Sequence, residues 1–284
     1  MRTVVDSNLL QSDGLRAYLS KSPANIAVLT DYAAMEAHRA DTLEMLYRSM
    51  AILSEFPKQV IVLKGTQAVC ALRGRPSGLQ RRMIDHQQTR GFAEYCTHLA
   101  AARRGDQSIQ AQLLELAREA RHQMDRILGD MQEFGGAVED LASTYNTHEI
   151  QIIRKGEPYT RPMAEKMLQQ ILMMARVLFD RHPRVTKLPA PWELPNTFLF
   201  RAALCVYLLL KRWISVGGAH QAKPERLRND MIDVNFAVYA TYFDGFLTAD
   251  RKIREIYQET DWFLKRVFFV PPGAFPMEPR ATRR

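Results

Sequence analysis

The chain has 284 residues, of which 46% are hydrophobic, which is enough to build the core of one large domain or two small ones. Thirty-nine basic residues against thirty-one acidic ones leave a net charge of +8, which suits a polyanionic partner such as RNA or DNA. The three cysteines are scattered, which argues against a disulfide-rich secreted scaffold. The sequence shows no signal-like segment and no apolar run long enough to span a membrane, so a cytoplasmic location is predicted.

The N-terminal part of the chain predicts short strands and helices in turn. Residues 1–8 predict a first strand, 13–20 a short helix and 26–29 a second, aliphatic strand. A long helix is predicted from residue 31 to residue 56, capped by Thr30 or Asp31. A third strand is predicted at 59–63 and another helix from about 64, and the glycine- and proline-bearing segment 74–78 predicts a break.

The middle of the chain, from about 84 to 216, predicts helices almost throughout. The candidates are separated by glycines and by a proline-rich link, and they span 92–103, 108–134, 137–153, 162–181 and 198–216. The apolar run 202–210 lies between Arg201 and Lys211 and is too short to cross a bilayer, so it predicts a buried helix.

The C-terminal part predicts an acidic helix, a short strand and a second helix. Apolar residues recur at helical spacing at Ile232, Phe236, Tyr239 and Phe243. Asp230 and Asp233 lie on another stripe, three residues apart, and therefore point the same way. Residues 245–248 predict a buried strand that ends in Thr248, a good N-cap residue, with Asp250 at its carboxyl end, where open α/β sheets place their ligands. A last strand is predicted at 263–270, and 271–284 predicts a disordered tail.

These segments resemble the PIN and PIN-like nucleases. The segment Thr-Val-Val-Asp-Ser-Asn at 3–8 resembles their first strand, with Asp6 at its end. Residues 26–39 resemble their second strand and the helix with the second acid, here Glu36. The acidic helix followed by a strand that ends Thr-x-Asp, at 229–252, resembles their C-terminal half. The resemblance implies an α/β fold in which a PIN-like three-layer core with a small parallel sheet (1–64 and 225–270) carries a long all-helical insertion (65–224).

The resemblance also implies a set of ligands. Asp6, Glu36 and Asp250 would bind Mg²⁺ or Mn²⁺ together with a third acid, which is Asp230 or Asp233; the spacing leaves that choice open. Four further residues are candidates for substrate binding. Asn8 and Thr248 could hydrogen-bond a substrate phosphate or orient an acid. Arg251 and Lys252, like the basic run 226–228, could contact phosphates.

Clustered carboxylates repel each other and repel a phosphodiester, so they are useful only where they hold divalent cations. A bound cation activates a water and stabilises the leaving oxygen. The predicted function is a metal-dependent endonuclease, a hydrolase of phosphodiester bonds, and the resemblance favours RNA over DNA. The site could hold one metal ion or two, and the sequence does not choose between them. The other possible partners are a second copy of the chain and, if the protein is a toxin, a regulatory antitoxin. No membrane partner is expected.

Each acid also has a simpler explanation, as a turn former, a solvated residue or a helix cap. The alternatives are therefore an inactive PIN-like module that binds RNA or protein, a flap-type DNA nuclease, and a helical interaction protein whose acids are only caps. Arginines around the 74–78 break are further candidates for RNA contact: Arg73, Arg75, Arg81 and Arg82. The chain has no phosphate-loop, nucleophile-elbow or zinc-protease motif, which argues against those classes of enzyme.

Overall fold

The chain forms a small parallel sheet enclosed by helices. A computed structural model describes residues 1–38, 42–130, 134–185, 187–217 and 224–268, and within them all side chains except those of 76–77, 126–130, 134–135 and 224–228. The strands are β1 (Arg2–Val5), β2 (Ile26–Leu29), β3 (Val60–Val62) and β4 (Gly245–Leu247). All neighbours are parallel, in the order β3-β2-β1-β4. The fold is therefore mixed α/β.

Strand β1 is the centre of this sheet. Val4 pairs with Val28 on β2 and with Phe246 on β4, and both valines are fully buried. β-branched residues suit such a two-sided position because they fit a pleated, buried surface. Since every strand runs the same way, the residues that follow the strands meet at one edge of the sheet. Asp6, which follows β1, lies at this carboxyl edge.

Helices make up most of the rest of the described chain. In sequence order they are α1 (Asp13–Ser20), α2 (Asp31–His38), α3 (Leu43–Glu55), α4 (Thr66–Cys70), α5 (Pro76–Met83), α6 (His86–Arg103), α7 (Gln107–Asp130), α8 (Phe134–Ser143), α9 (Thr147–Lys155), α10 (Arg161–Arg181), α11 (Phe198–Ser215), α12 (Pro224–Ala240) and α13 (Arg251–Phe263).

Two of these helices form the core beside the sheet. The apolar stripe predicted on α12 is confirmed: its residues are buried where α12 packs against β1, α2, α11 and α13. The buried helix predicted over 202–210 is also confirmed, since α11 exposes almost none of its surface. None of the helices in the described ranges has both the length and the apolar character needed to cross a membrane.

Several predicted boundaries are wrong. The helix predicted over 31–56 is two helices, because Thr42 caps α3 through the N–H of Met45. The helix predicted over 137–153 is also two, because Asn146 and Glu149 form a capping box at the start of α9.

Three local predictions are wrong in type. The break predicted at 74–78 is the start of α5, where Pro76 occupies the first turn, a position that proline favours. The last strand predicted at 263–270 is helical in its described part, because a π-helical turn (Leu264–Phe268) continues from α13. The cap of α13 is Asp250 and not Thr248. The predicted tail, 271–284, lies outside the described residues.

A buried arginine joins the helical part to the end of α12. Arg201 on α11 is only 3% exposed. Its guanidinium donates to the carbonyl oxygens of Pro195 (3.0 Å) and Thr241 (2.8 Å) and to Oδ1 of Asn196 (3.3 Å), and it lies 3.7 Å from the ring centre of Tyr242. A planar group with forked donors is needed to make these bonds and to stack at the same time.

We predict that Arg201→Lys destabilises the protein by about 2–3 kcal/mol, because an ammonium leaves several buried carbonyls without donors. Thermal unfolding should show a fall in Tm of roughly 5–10 °C. The matched control is Arg48→Lys, at a side chain that is 67% exposed, where the change should be within about 0.5 kcal/mol. Equal effects at both positions would contradict this account of Arg201.

Candidate metal centre

The first acid of the site, Asp6, is buried at the end of β1, with 2% of its surface exposed. Its N–H still belongs to the sheet, since it donates to the carbonyl of Leu247 at 2.9 Å. Burial raises the pKa of this carboxyl, and the nearby charge of Asp250 raises it further, while the hydroxyl of Thr248 and the backbone of Asn8 oppose the shift. A buried carboxylate with a raised pKa at the carboxyl edge of a parallel sheet is a candidate for function.

Thr248 connects Asp6 to the next acid. Its hydroxyl donates to Oδ2 of Asp6 at 2.6 Å and accepts from the N–H of Asp250 at 3.0 Å. Asp250 in turn caps α13, because its Oδ1 accepts from the N–H groups of Lys252 (2.7 Å) and Ile253 (3.1 Å). Helix capping therefore holds the Asp250 carboxylate beside Asp6, and one of its oxygens is engaged in the cap.

Asp233 on α12 interacts with the other predicted acids. Its pKa is raised to about 7, first by burial and then by the negative charges of Asp6, Glu36 and Asp250, against the charge of Lys252, which lowers it. Like charges shift a pKa in this way only when they are close. Asp233 thus lies within electrostatic reach of three predicted acids from separate segments of the chain.

Asp230, three residues before Asp233, has a different partner. It is 3% exposed, and its Oδ1 accepts a hydrogen bond from the ammonium of Lys252. Its Oδ2 is buried and makes no hydrogen bond within the described part of the chain. The two acids that the sequence left as alternatives are therefore distinct: Asp233 interacts with the other carboxylates, and Asp230 holds Lys252. Asp230 is also not an N-cap, because α12 begins six residues earlier, at Pro224.

Glu36 enters the site from α2. This helix packs against α12 and against the turn at Ser7–Leu9 that follows Asp6. The Glu36 side chain is partly buried, and its charge is among those that raise the pKa of Asp233.

The predicted substrate residues have mixed surroundings. Oδ1 of Asn8 accepts from the N–H of Ala249 at 3.3 Å, which ties the loop after β1 to the loop after β4. Arg251 is 88% exposed and pairs with Glu255 at 2.7 Å. Among the predicted RNA-contact arginines, Arg82 donates to the carbonyl of Arg73. The side chains of 226–228 lie outside the described residues.

The donor set of the site fits a hard divalent cation in chemistry but is not preassembled. In the ranges that the structure describes, no three histidine, cysteine, aspartate or glutamate side chains are grouped so that they could hold a metal ion. Mg²⁺ nevertheless takes oxygen ligands, keeps several waters and is commonly bound through only one or two carboxylates together with substrate phosphates. The unpartnered buried oxygen of Asp230 and the mutual repulsion felt by Asp233 are what such a cation would relieve.

Sequence reasoning missed another acid at the same edge. Asp31 lies two residues after β2 and is half-buried, and desolvation raises the pKa of its carboxyl. It accepts from the N–H (2.6 Å) and the hydroxyl (2.8 Å) of Thr66, and that hydroxyl lies 2.8 Å from the hydroxyl of Tyr239 on α12. The strand-end argument applied to Asp6 would have found it. Ser7, whose hydroxyl donates weakly to Asp6 at 3.4 Å, carries no comparable signal.

Comparison with known proteins adds no family. No family model, no curated protein and no solved structure matches the chain.

We predict that Asp233→Asn stabilises the metal-free protein at pH 8. A folded-state pKa raised from 3.8 to about 7 means that the stability contributed by neutral Asp233 is complete below about 4 and is lost as the pH rises through 7. In EDTA, the Tm advantage of the variant should therefore grow between pH 4 and pH 7, and should be clearly smaller at pH 5 than at pH 8.

Asp230→Asn is the matched control on the same helix. It removes the charge of a buried carboxylate that pairs with the half-buried Lys252, so it should lower the Tm at both pH values. Identical responses of the two variants would contradict the distinction between Asp233 and Asp230.

Proposed function

We propose that this chain is a metal-dependent endonuclease with a PIN-like core that hydrolyses phosphodiester bonds of RNA. The observation that carries the proposal is the contact at the carboxyl edge of the sheet, where the Thr248 hydroxyl donates to buried Asp6 at 2.6 Å and accepts from the N–H of Asp250 at 3.0 Å. The raised pKa of Asp233, to which the charges of Asp6, Glu36 and Asp250 contribute, supports it. Acids that repel one another are unfavourable in a folded protein unless they serve a charged ligand. A divalent cation bridging to phosphate is the ligand that this set of groups would favour.

The arrangement of the sheet supports the PIN-like part of the proposal. In chain order, Asp6 follows β1, Glu36 lies on the helix after β2, Asp233 lies on α12 before β4, and Asp250 caps α13, three residues after β4. The helices α4 to α11 separate β3 from α12 and correspond to the proposed insertion. The parallel β1–β4 pair joins the two ends of the chain into one core.

In the proposed reaction Asp6, Glu36, Asp233 and Asp250 would hold Mg²⁺ or Mn²⁺. A bound ion supplies a water of lowered pKa and neutralises charge on the leaving oxygen. The chain itself contributes orientation: Thr248 positions Asp6, and the start of α13 positions Asp250. Asp230 anchors Lys252, whose ammonium would meet a non-bridging oxygen of the phosphate. The choice of RNA rests on the resemblance, and the charge of +8 favours a polyanion in general.

The first test is metal binding. Calorimetry with Mn²⁺ should detect binding to the wild-type chain, and Asp6→Asn should weaken it by about tenfold or more, because an amide removes a charge that the ion would neutralise. The control is Asp180→Asn on α10, a 59% exposed acid paired with Arg176, which should leave the affinity unchanged. If the wild-type chain shows no heat of Mn²⁺ binding at neutral pH, the metal has to be removed from the proposal.

The second test is cleavage. Structured RNA, single-stranded DNA and DNA flaps should be incubated side by side with Mg²⁺ or Mn²⁺. RNA should be cut at internal positions, and Asp6→Asn and Asp250→Asn should lower the rate by about a hundredfold or more, as loss of a group that stabilises developing charge does. Flap cleavage alone would favour a DNA nuclease, and binding of RNA without cleavage would favour an inactive module.

A third test separates Lys252 from its neighbour. Lys252→Gln should lower the cleavage rate while Mn²⁺ binds at least as tightly as before, because a positive charge is removed from beside the acids. Arg251→Gln, one residue earlier and 88% exposed, should change the rate little. Equal loss of activity in both variants would show that Lys252 acts only as one surface cation among others.

A further inference from the structure

A pocket opens at the same edge of the sheet as the candidate metal centre, on the other side of strand β2. It has a volume of about 610 Å³ and lies at the ends of β2 and β3, where Leu29, Asp31 and Val62 contribute to it. Helices α2, α6 and α7 supply most of the rest of its lining, together with Met50 on α3 and the segment after β3. Nothing in the proposed reaction uses this pocket.

The pocket and the candidate metal centre are neighbours in the sheet. Val4 pairs with Val28, so Asp6 lies across from Thr30, and Asp31 is the next residue. Adjacent strands are about 4.8 Å apart, which puts the wall of the pocket on the order of 5–10 Å from Asp6. Helix α2 borders both sites, since it carries Glu36 and also the pocket residues Met35 and His38.

The pocket wall includes a half-buried aromatic ring, Tyr95, which packs against Phe92, itself only 4% exposed. Phe92 and Tyr95 on α6 lie with ring centres 5.9 Å apart. The Tyr95 hydroxyl is 3.1 Å from Nε2 of His38, and Nδ1 of His38 is 2.9 Å from the carbonyl of Ala34. A carbonyl only accepts, so Nδ1 carries the hydrogen; burial lowers the pKa of His38 and keeps the ring neutral. Nε2 then accepts from Tyr95, which leaves the oxygen of Tyr95 free to accept from a ligand.

The charged groups of the wall exclude a phosphate. Asp31 and Glu119 both line the pocket, and Gln87, Gln88 and Gln123 add neutral amides. Among the described lining residues there is no lysine or arginine. Flat rings stack well on aromatic side chains, whereas carboxylates and a phenol oxygen accept hydrogen bonds from amino groups.

We infer that this pocket binds a nucleobase that carries an exocyclic amino group, namely adenine, cytosine or guanine rather than uracil. The inference rests on the proposed function, because the base would belong to a nucleotide next to the phosphate at the candidate metal centre. A base held here fixes the position of the strand relative to the acids. The pocket therefore sets which phosphodiester bonds are cut, while the acids set the rate.

Gly91 is the position for a variant that narrows the pocket. It lies in the lining on α6, and a Cβ added there meets no atom within 4 Å. The first side-chain atom of Gly91→Leu therefore has room, and the change replaces a residue that disfavours the helix. Gly78→Leu on α5 is the matched control, because Gly78 is helical, open in the same way and not part of the pocket.

The experiment titrates the full chain, in EDTA, with adenosine, cytidine and uridine, and follows binding by calorimetry. Adenosine and cytidine should bind, uridine about tenfold more weakly, and Gly91→Leu should weaken adenosine and cytidine by about tenfold or more, in line with the value of one stacked base. Gly78→Leu should bind like the wild type. With RNA and Mn²⁺, Gly91→Leu should lose the preference for cutting beside amino-bearing bases and keep its affinity for Mn²⁺.

The outcomes separate this inference from the proposed function. Nucleoside binding that is lost in Gly91→Leu, in a chain that binds no Mn²⁺ and cuts nothing, would support the pocket and overturn the nuclease. Cleavage whose base preference is unchanged in Gly91→Leu, or equal affinity for uridine, would overturn the pocket and leave the nuclease. Binding of a tryptophan-bearing peptide in place of nucleosides, abolished by Gly91→Leu, would also overturn it and assign the pocket to a protein partner.

Discussion

The hydrogen bond from Thr248 to Asp6 joins residues 242 positions apart in the sequence, and the site depends on it. It forms because β1 and β4 are parallel neighbours, so that their ends lie at the same edge of the sheet. The same hydroxyl accepts from the backbone of Asp250. Two acids that repel each other are thereby held in one place by the backbone of the sheet, the start of α13 and a single side chain.

The distribution of charge around this bond explains the roles of the two acids on α12. Lys252 pairs with Asp230, which is more deeply buried than Asp233. Asp233 keeps three carboxylates as neighbours, and its raised pKa is the consequence. A buried charge without its partner costs several kcal/mol, so Asp230 is best understood as the support of Lys252, and Asp233 as a member of the acidic cluster.

Much of the fold could be predicted because its elements are locally encoded. Strands β2 and β3 are short runs of aliphatic residues, β1 ends in two valines, and the apolar residues that α12 buries follow helical spacing. The errors fall where a short polar signal interrupts a helical pattern, as at Thr42 and Asn146, or where a short segment of mixed apolar and basic residues suits a strand and a helix equally, as at 264–268. Such runs are decided by what they pack against, which a single sequence does not reveal.

The site was predictable only in outline. Asp6 and Glu36 are predicted through the family resemblance and Asp250 also through its position after a strand, whereas Asp230 and Asp233 share one face at helical spacing and differ only in their tertiary neighbours. That Asp250 also caps α13 shows that a structural role and a charged role can coincide in one side chain. Asp31 was overlooked because its position suggested a helix cap, although Thr66, from another part of the chain, holds it.

The central claim is that acids from distant segments share one divalent cation, and the most direct measurement is a crystal structure of the wild-type protein grown with Mn²⁺, with data collected at a wavelength where manganese scatters anomalously. The account predicts an anomalous peak at the carboxyl edge of the sheet, within about 2.5 Å of carboxylate oxygens of at least two of Asp6, Glu36, Asp233 and Asp250. A structure with no peak there, or with the carboxylates turned away from one another around Lys252, would contradict it.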